Sequence, residues 1–260
     1  MIIKETLELV KERIGGLEVR VEGVAVGLFY AGVATRSSRG IHGGVAYVLR
    51  NSPSCSPIES AGSLHEMDPL TLARLSLSPN PVEASVGVAA LNALSQTVLE
   101  GDPSYKPVNV DVTDMVKEGE SVAMVGYMEP VLRRLLKKNC KVFVSEIVAV
   151  DNPIVPTLPP NEAERYLTTA DVVIVTGSTL VNKTIDEILG LDLKARMIAV
   201  AGPTASMLPD VLFDYGVTAL MGVAITNSEE MLRVVIQGGG TRQLLSACAQ
   251  KKAYFAQSKR

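Results

Sequence analysis

The sequence predicts an α/β protein, and two features of the chain lead to this class. In the C-terminal part, short apolar runs alternate with helical patterns, which is typical of a parallel, doubly wound sheet. In the N-terminal part, Val-rich alternating segments follow an amphipathic helix and predict a β-meander. A stretch rich in charge, Gly and Pro, 99–120, separates these parts. We therefore predict two domains, residues 1–105 and 106–260.

The N-terminal elements follow from periodicity and from helix-capping residues. Ile3, Leu7, Val10 and Ile14 recur at helical spacing, and two glycines end that helix. Further on, Asp68-Pro69 provides a good N-cap and first helical residue. The remaining segments are predicted as one or two strands over 17–35, a polar turn over 36–40, a strand over 43–49 and a loop over 51–57.

A helix of small residues is predicted to begin at Asn80, which can cap it, with Pro81 at the first helical position. Gly87 within this helix costs about 1 kcal/mol relative to Ala, and close approach of another backbone would offset that cost. Two interpretations stay open. The helix packs tightly in the core, or Glu83 or Asn92 points into a cleft, since a buried Asn92 would need a hydrogen-bond partner.

Three glycine-bearing bends each follow a predicted strand of the C-terminal part: 126–129, 176–179 and 202–204. Right-handed crossovers place such bends along one edge of a parallel sheet, where ligands bind in open α/β folds. The predicted strands are 121–126, 141–146, 171–176, 195–201 and 217–223.

The stretch 171–190 shows this pattern most clearly: a β-branched strand, the small polar bend 176–179 and then a helical pattern ending at Gly190. Ser178 is interpreted as a hydroxyl donor to an anionic ligand, and Lys183 either adds charge or is solvated surface. The predicted ligand-binding residues are Glu83, Asn92, Gly126, Tyr127, Glu129, Thr176, Gly177, Ser178, Thr179, Asn182, Lys183, Gly202, Pro203 and Thr204.

A dinucleotide site is the next possibility to weigh. Glu146 follows Gly126 by about twenty residues and ends a predicted strand, as a ribose-binding acid would. The G-x-G-x-x-G and Walker patterns are absent, however, and Glu129 places a like charge where phosphates need bare backbone. The pattern therefore argues against NAD(P), and Glu146 is kept as the residue that would bind a nucleotide or methyl-donor cofactor.

Composition excludes several classes of function. The net charge of −3 argues against nucleic-acid binding, and no uninterrupted apolar run reaches the roughly 20 residues of a membrane span. The three cysteines, Cys55, Cys140 and Cys248, have no paired spacing, which is typical of reduced cytosolic thiols. We expect a cytoplasmic protein.

Few residues predict direct metal binding or catalysis. His65, Glu66 and Asp68 form a compact cluster that could hold a divalent metal, but their spacing matches no common ligand set. With two histidines and no G-x-S-x-G elbow, no catalytic residue is predicted. A bound metal is expected within a small-molecule complex.

Four stretches resemble one family, first catalogued as a domain of unknown function and labelled "putative heavy-metal chelation". They are 83–92, 125–126, 176–184 and 202–216, in a distinctive order and spacing. The resemblance implies an enolase-N-terminal-like α+β domain followed by a Rossmann-like parallel α/β domain. It also implies a pocket between the two and a role in binding a chelated metal or a chelator.

Three functions are carried forward. The first is binding of a small anionic ligand or metal chelate in an interdomain cleft. The second is an enzyme that uses a nucleotide or methyl-donor cofactor in the Rossmann-like part. The third is a non-catalytic homo-oligomeric scaffold, in which thin helices such as 84–93 pack between subunits.

Overall fold

A computed structural model describes residues 1–49 and 57–257 of the chain. The described helices are α1 (Ile2–Ile14), α2 (Pro69–Arg74), α3 (Pro81–Gly101), α4 (Glu129–Lys137), α5 (Pro160–Leu167), α6 (Thr179–Asn182), α7 (Ile185–Leu189), α8 (Asp210–Asp214), α9 (Ser228–Ile236) and α10 (Thr241–Ala247). The described strands are β1 (Val19–Val26), β2 (Tyr30–Ser37), β3 (Gly40–Tyr47), β4 (Ser121–Val125), β5 (Lys141–Ser145), β6 (Thr157–Leu158), β7 (Val172–Thr176), β8 (Met197–Ala201), β9 (Ala219–Ile225) and β10 (Ala249–Phe255).

The N-terminal part is a three-stranded antiparallel sheet, β1-β2-β3, packed against helices α1 and α3. The predicted α1 is confirmed, and Ile3, Leu7, Val10 and Ile14 are all buried. The meander is confirmed as well, with the single segment 17–35 divided into β1 and the start of β2. The Asp68 side chain caps α2 as predicted, accepting from the backbone N–H of Thr71 at 2.9 Å.

Helix α3 lies in the centre of the molecule. The backbone of a neighbouring turn passes so close to it that a Cβ atom on Gly87 would lie 1.8 Å from the Ser76 nitrogen. Strand β3 also packs closely against α3, since a Cβ atom on Gly44 would lie 2.2 Å from the Ala89 carbonyl oxygen. The core-helix interpretation is therefore confirmed. The small residues of α3 are covered by this chain itself, so they do not supply the subunit interface that the scaffold hypothesis assumed.

By length and hydropathy, α3 also reaches the size of a membrane span, which the sequence was not expected to provide. It is the one such helix among the described residues, and 89% of its apolar window is buried inside the protein. Its apolar character is explained by that internal packing.

The C-terminal part contains a seven-stranded sheet in the order β10-β9-β8-β7-β4-β5-β6. All neighbours pair in parallel except β9 and β10. The chain winds outwards in one direction from β4 to β6 and in the other from β7 to β9, so the order reverses between β4 and β7. This is the switch point of a doubly wound sheet. The five predicted strands are confirmed, whereas the short β6 and the antiparallel β10 were not predicted.

Helices cover both faces of this sheet. On one face α4 and the segment 110–116 pack over Met124, Ile174 and Ala199. On the other, α5, α6 and α3 pack with Ala123, Val173 and Val175. The connecting segment pairs with the last strand, because Val108 and Ala253 exchange backbone hydrogen bonds of 2.9 and 2.8 Å. The predicted boundary between residues 105 and 106 stays a prediction.

One predicted helix is broken in two. The pattern from Leu180 to Leu189 indicated a single helix, but Lys183 has φ 66° and separates α6 from α7. The Asn182 side chain stabilises this break by accepting from the backbone N–H and the hydroxyl of Thr184, at 3.1 and 2.7 Å. A local side-chain acceptor of this kind competes with helical hydrogen bonding.

The two cysteines in the described part, Cys140 and Cys248, are free and buried. Burial raises the pKa of both thiols, that of Cys248 to about 11. Cys55 and nearly all of the predicted loop 51–57 lie outside the described residues.

Candidate functional site

A cleft of about 1980 Å³ runs along the carboxyl ends of the parallel strands. It exceeds the roughly 300–1,000 Å³ of an ordinary ligand pocket. The three glycine-bearing bends predicted from the sequence all line it, at the ends of β4, β7 and β8. Side chains of the N-terminal sheet, among them Tyr30 and Tyr47, form part of the wall. The structure thus brings the predicted bends together on one edge.

Two of the bends have a glycine with positive φ, one at the switch point and one at the end of the adjacent strand β8. Gly126 has φ 88°, and a Cβ atom there would lie 2.4 Å from Cγ2 of Thr176, so the ends of β4 and β7 approach too closely for a side chain. Gly202 has φ 116° with open space beside it. Pro203 follows it in the cleft wall.

The bend after β7 presents hydroxyl groups to the cleft. Thr179 donates to the carbonyl oxygen of Thr176 at 2.7 Å, and Ser178 donates to the Thr176 hydroxyl at 3.3 Å. Gly177 is required for packing, because a Cβ atom there would lie 2.8 Å from the Ala205 nitrogen. Thr176 and Ser178 are therefore the members of this bend best able to meet a ligand. Asn182 also lines the cleft, but its side-chain oxygen, Oδ1, accepts a hydrogen bond from the backbone N–H of Thr184.

The third bend is held by the N-terminal part of the chain. Asn92 is fully buried, and its amide nitrogen donates to the carbonyl oxygens of Val45, at 2.8 Å, and of Thr204, at 2.9 Å. The Thr204 hydroxyl accepts from the backbone N–H of Tyr47 at 2.9 Å. The described cleft wall includes Thr204 but not Asn92, so Asn92 supports the bend from behind.

Glu83 and Lys183 also lie outside the described cleft wall, and both form hydrogen bonds with Ser78. Glu83 accepts from the Ser78 hydroxyl at 2.6 Å, and Lys183 donates to the Ser78 carbonyl oxygen at 2.7 Å. Burial lowers the pKa of Lys183. These side chains join α3 to the break between α6 and α7.

Glu146 lines the cleft at the end of β5, and its carboxylate holds backbone amides. One oxygen accepts from Tyr127 N–H at 2.8 Å; the other accepts from Ile147 at 2.8 Å and from Val148 at 3.3 Å. The hydroxyl of Tyr127 accepts from Ile154 N–H at 2.9 Å, so this loop is tied to the bend after β4. Glu129, also in the wall, pairs with Arg133 at 2.7 Å.

Sequence reasoning missed a charged cluster in the wall, formed by Asp111, Arg134 and Lys251. Arg134 Nη1 lies 2.9 Å from Asp111 Oδ2, which Lys251 also contacts. Burial raises the pKa of Asp111, but hydrogen bonds from Lys251 and Thr113 outweigh burial and lower it to about 2. The D-x-T pattern of 111–113 is the available local signal, because Asp before Thr commonly caps a turn. Nothing local indicates that Lys251 would join it.

The predicted metal cluster does not assemble. His65 and Glu66 are exposed with 3.8 Å between Nε2 and Oε1, and Asp68 is used as the cap of α2. Among the described residues, no group of three or more His, Cys, Asp or Glu side chains could hold a metal ion.

Comparison with known proteins identifies the family to which this chain belongs. A family model named DUF364 and described as "Putative heavy-metal chelation" matches residues 109–254, more than half of the chain. The chain belongs to the DUF364 family. A second model with the same description, DUF4213, matches residues 8–95.

Solved structures of DUF364 proteins share this architecture. A DUF364 protein with unknown function from Pyrococcus horikoshii is 27% identical, and the match covers 98% of this chain and 100% of that one with a TM-score of 0.82. Another, from Desulfitobacterium hafniense DCB-2, is 23% identical, covers 97% and 100%, and has a TM-score of 0.74. The α/β fold with its mainly parallel sheet is therefore that of the family.

One curated relative is an uncharacterized protein of Methanocaldococcus jannaschii. It is 30% identical over 155 residues, which span 58% of this chain and 58% of the relative. The chain thus matches less than two thirds of that protein's length.

Proposed function

We propose that this DUF364 protein binds a small anionic ligand, or the anionic chelate of a heavy metal, in the cleft between an N-terminal and a C-terminal domain. This proposal is supported by three strand-end bends that line one cleft at and beside the switch point, with open space at Gly202 and hydroxyl groups at Thr176 and Ser178. Ligands of doubly wound sheets bind at this position.

The side chains of the described residues favour a chelate over a bare metal ion. A heavy metal needs several His, Cys or carboxylate donors close together, and the described part of the chain has no group of three. In the proposed complex the small molecule supplies the donor atoms to the metal. The protein then contacts the outer oxygens of that molecule through hydroxyl, amide and cationic groups.

The test is a thermal-shift panel on the full chain with Zn²⁺ or Ni²⁺ alone, citrate alone and the metal–citrate complexes. A ligand at a hundred times its dissociation constant should add about 2.7 kcal/mol of stability. Ser178→Asp should abolish the response, because a carboxylate would replace a hydroxyl donor in the cleft. Ser38→Asp, in the exposed β2–β3 turn, is the matched control. If Zn²⁺ or Ni²⁺ without citrate stabilises the wild type and both variants equally, the proposal fails.

A nucleotide or methyl-donor cofactor is the second candidate, which the strand order and the position of Glu146 in the cleft favour. A carboxylate accepts about four hydrogen bonds, and three are already made to backbone N–H groups. Stabilisation by ATP or S-adenosylmethionine that is lost in Glu146→Gln would favour this candidate. An unchanged response to metal–citrate in the same variant would separate the two functions.

A further inference from the structure

We propose that Arg134 and Lys251 form an anion-binding subsite that receives a phosphate or carboxylate group of the ligand. This inference rests on the proposed function and assigns the ligand's negative charge to one end of the cleft. Both residues line the cleft, and both retain exposed surface, 56% of the Arg134 side chain and 39% of the Lys251 side chain.

Asp111 holds the two cations side by side. Its Oδ2 atom contacts both Arg134 Nη1, at 2.9 Å, and Lys251 Nζ. Its Oδ1 atom accepts from the backbone N–H and the hydroxyl of Thr113, at 3.1 and 2.8 Å. All of these donors fix the carboxylate, which is only 17% exposed, so the cations meet at a defined place before any ligand arrives.

The cluster keeps a surplus of positive charge and of hydrogen-bond donors. Two cations contact the Asp111 carboxylate, which leaves these three side chains with a formal charge of +1; the nearby Asp114 carboxylate accepts from the Asp111 backbone N–H at 3.2 Å. A lysine ammonium has three N–H donors and a guanidinium has five, whereas Asp111 occupies few of them. Hydrogen bonds between such groups and an anionic oxygen are about twice as strong as neutral ones. The Asp111 carboxylate is charged at neutral pH, and its lowered pKa extends that charge, and the arrangement, to more acidic pH.

Two acidic side chains line the cleft on the side opposite α4. Glu164 and Glu187 line it from α5 and α7, helices whose buried residues Ala163 and Ile185 belong to the core on the opposite face of the sheet. Arg134 stands on α4, which packs on the other face. Like charges repel an anionic group on the α5 side, and the Arg134–Lys251 pair attracts it on the α4 side. The wall also contains the cations Arg242 and Lys252, and Glu129 on α4, whose charge is paired with Arg133.

The test is titration of the full chain with inorganic phosphate and, separately, with citrate, at constant ionic strength. Lys251→Met and Arg134→Met should each weaken binding of the preferred anion at least tenfold, and Lys251→Arg should restore it. Lys137→Met is the matched control, since Lys137 is an exposed cation on the same helix, α4, and is outside the described cleft wall. Circular dichroism verifies that each variant is folded, and the two Met variants test the subsite independently.

The outcomes separate this inference from the proposed function. Tighter binding of phosphate than of citrate indicates that the subsite receives a phosphate group of the ligand. Tighter binding of citrate indicates that it receives a carboxylate. If the wild type binds either anion, Ser178→Asp abolishes binding and both Met variants bind normally, the subsite is overturned and the cleft function stands. If neither anion nor any metal–citrate complex binds the wild type, both proposals are overturned.

Discussion

Asn92 on α3 donates its side-chain amide to the carbonyl oxygen of Thr204, 2.9 Å away, although 112 residues separate the two. The same nitrogen donates a second hydrogen bond, to the carbonyl oxygen of Val45 on β3. One buried side chain therefore links the N-terminal sheet to a bend of the cleft. The low dielectric of the interior strengthens both hydrogen bonds, and without Asn92 the two buried carbonyl oxygens would lose their donor with no water to replace it.

Replacing Asn92 should consequently destabilise the protein. In Asn92→Ala two buried carbonyl oxygens lose a donor and a small cavity forms, so we expect the free energy of unfolding to fall by about 2–4 kcal/mol. Urea denaturation measures this change. Asn161→Ala, at an exposed position of α5, should change stability by less than about 0.5 kcal/mol. Equal effects of the two substitutions would contradict the role assigned to Asn92.

Gly87 should tolerate no side chain, although alanine is the better helix former by about 1 kcal/mol. A Cβ atom there would lie 1.8 Å from the Ser76 backbone nitrogen, so Gly87→Ala forces α3 away from the turn at 75–77. We expect a loss of about 2–3 kcal/mol from overpacking. In Gly16→Ala the new Cβ meets no atom within 4 Å, and stability should hold or rise. A stable Gly87→Ala protein would show that this contact relaxes easily.

The pH dependence of stability should reveal the Asp111 cluster. Its folded-state pKa, about 2, lies below the ordinary value of 3.8, so its stabilising contribution is present above about pH 4 and is lost as pH falls towards 2. Asp111→Asn should lower the free energy of unfolding by about 1 kcal/mol at pH 7, after allowance for solvent screening, and by much less near pH 2. Urea denaturation across this pH range gives both curves. The exposed Asp151→Asn should follow the wild type, and parallel curves for Asp111→Asn would count against the cluster.

Lys183 should contribute to stability through its link to Ser78. Lys183→Met keeps much of the aliphatic chain but removes the donor to the Ser78 carbonyl oxygen, so we expect a loss of about 1 kcal/mol. Lys194→Met removes an exposed lysine that pairs with the nearby Asp192, and should be close to neutral. Thermal denaturation compares the two variants. A neutral Lys183→Met would return Lys183 to the solvated-surface interpretation.

The sequence was sufficient for the main strands and for the edge of the sheet where the cleft lies. Runs such as 172–176 are apolar on both faces because the sheet is covered on both sides, and this local pattern predicts a buried parallel strand. The caps Asp68 and Asn80 likewise act through neighbouring residues, so they were predictable.

The parts that could not be predicted depend on distant residues. Strand β10 carries charged residues within a short apolar pattern, and it is a strand because it pairs with β9. Lys251 reaches Asp111 across 140 residues, which no local spacing encodes. Lys183 interrupts a good helical pattern because Asn182 and Ser78 supply alternative partners. In each case tertiary contacts override local propensity.

The paired backbone of Val108 and Ala253 bears on how a ligand enters. The segment that connects the N-terminal and C-terminal parts is held near its middle to the final strand by two hydrogen bonds. Moving the chain at Val108 away from β10 would break both bonds and disturb the sheet margin. For the proposed ligand we therefore expect entry past Ile147 and Val148, which line the cleft and whose side chains are exposed.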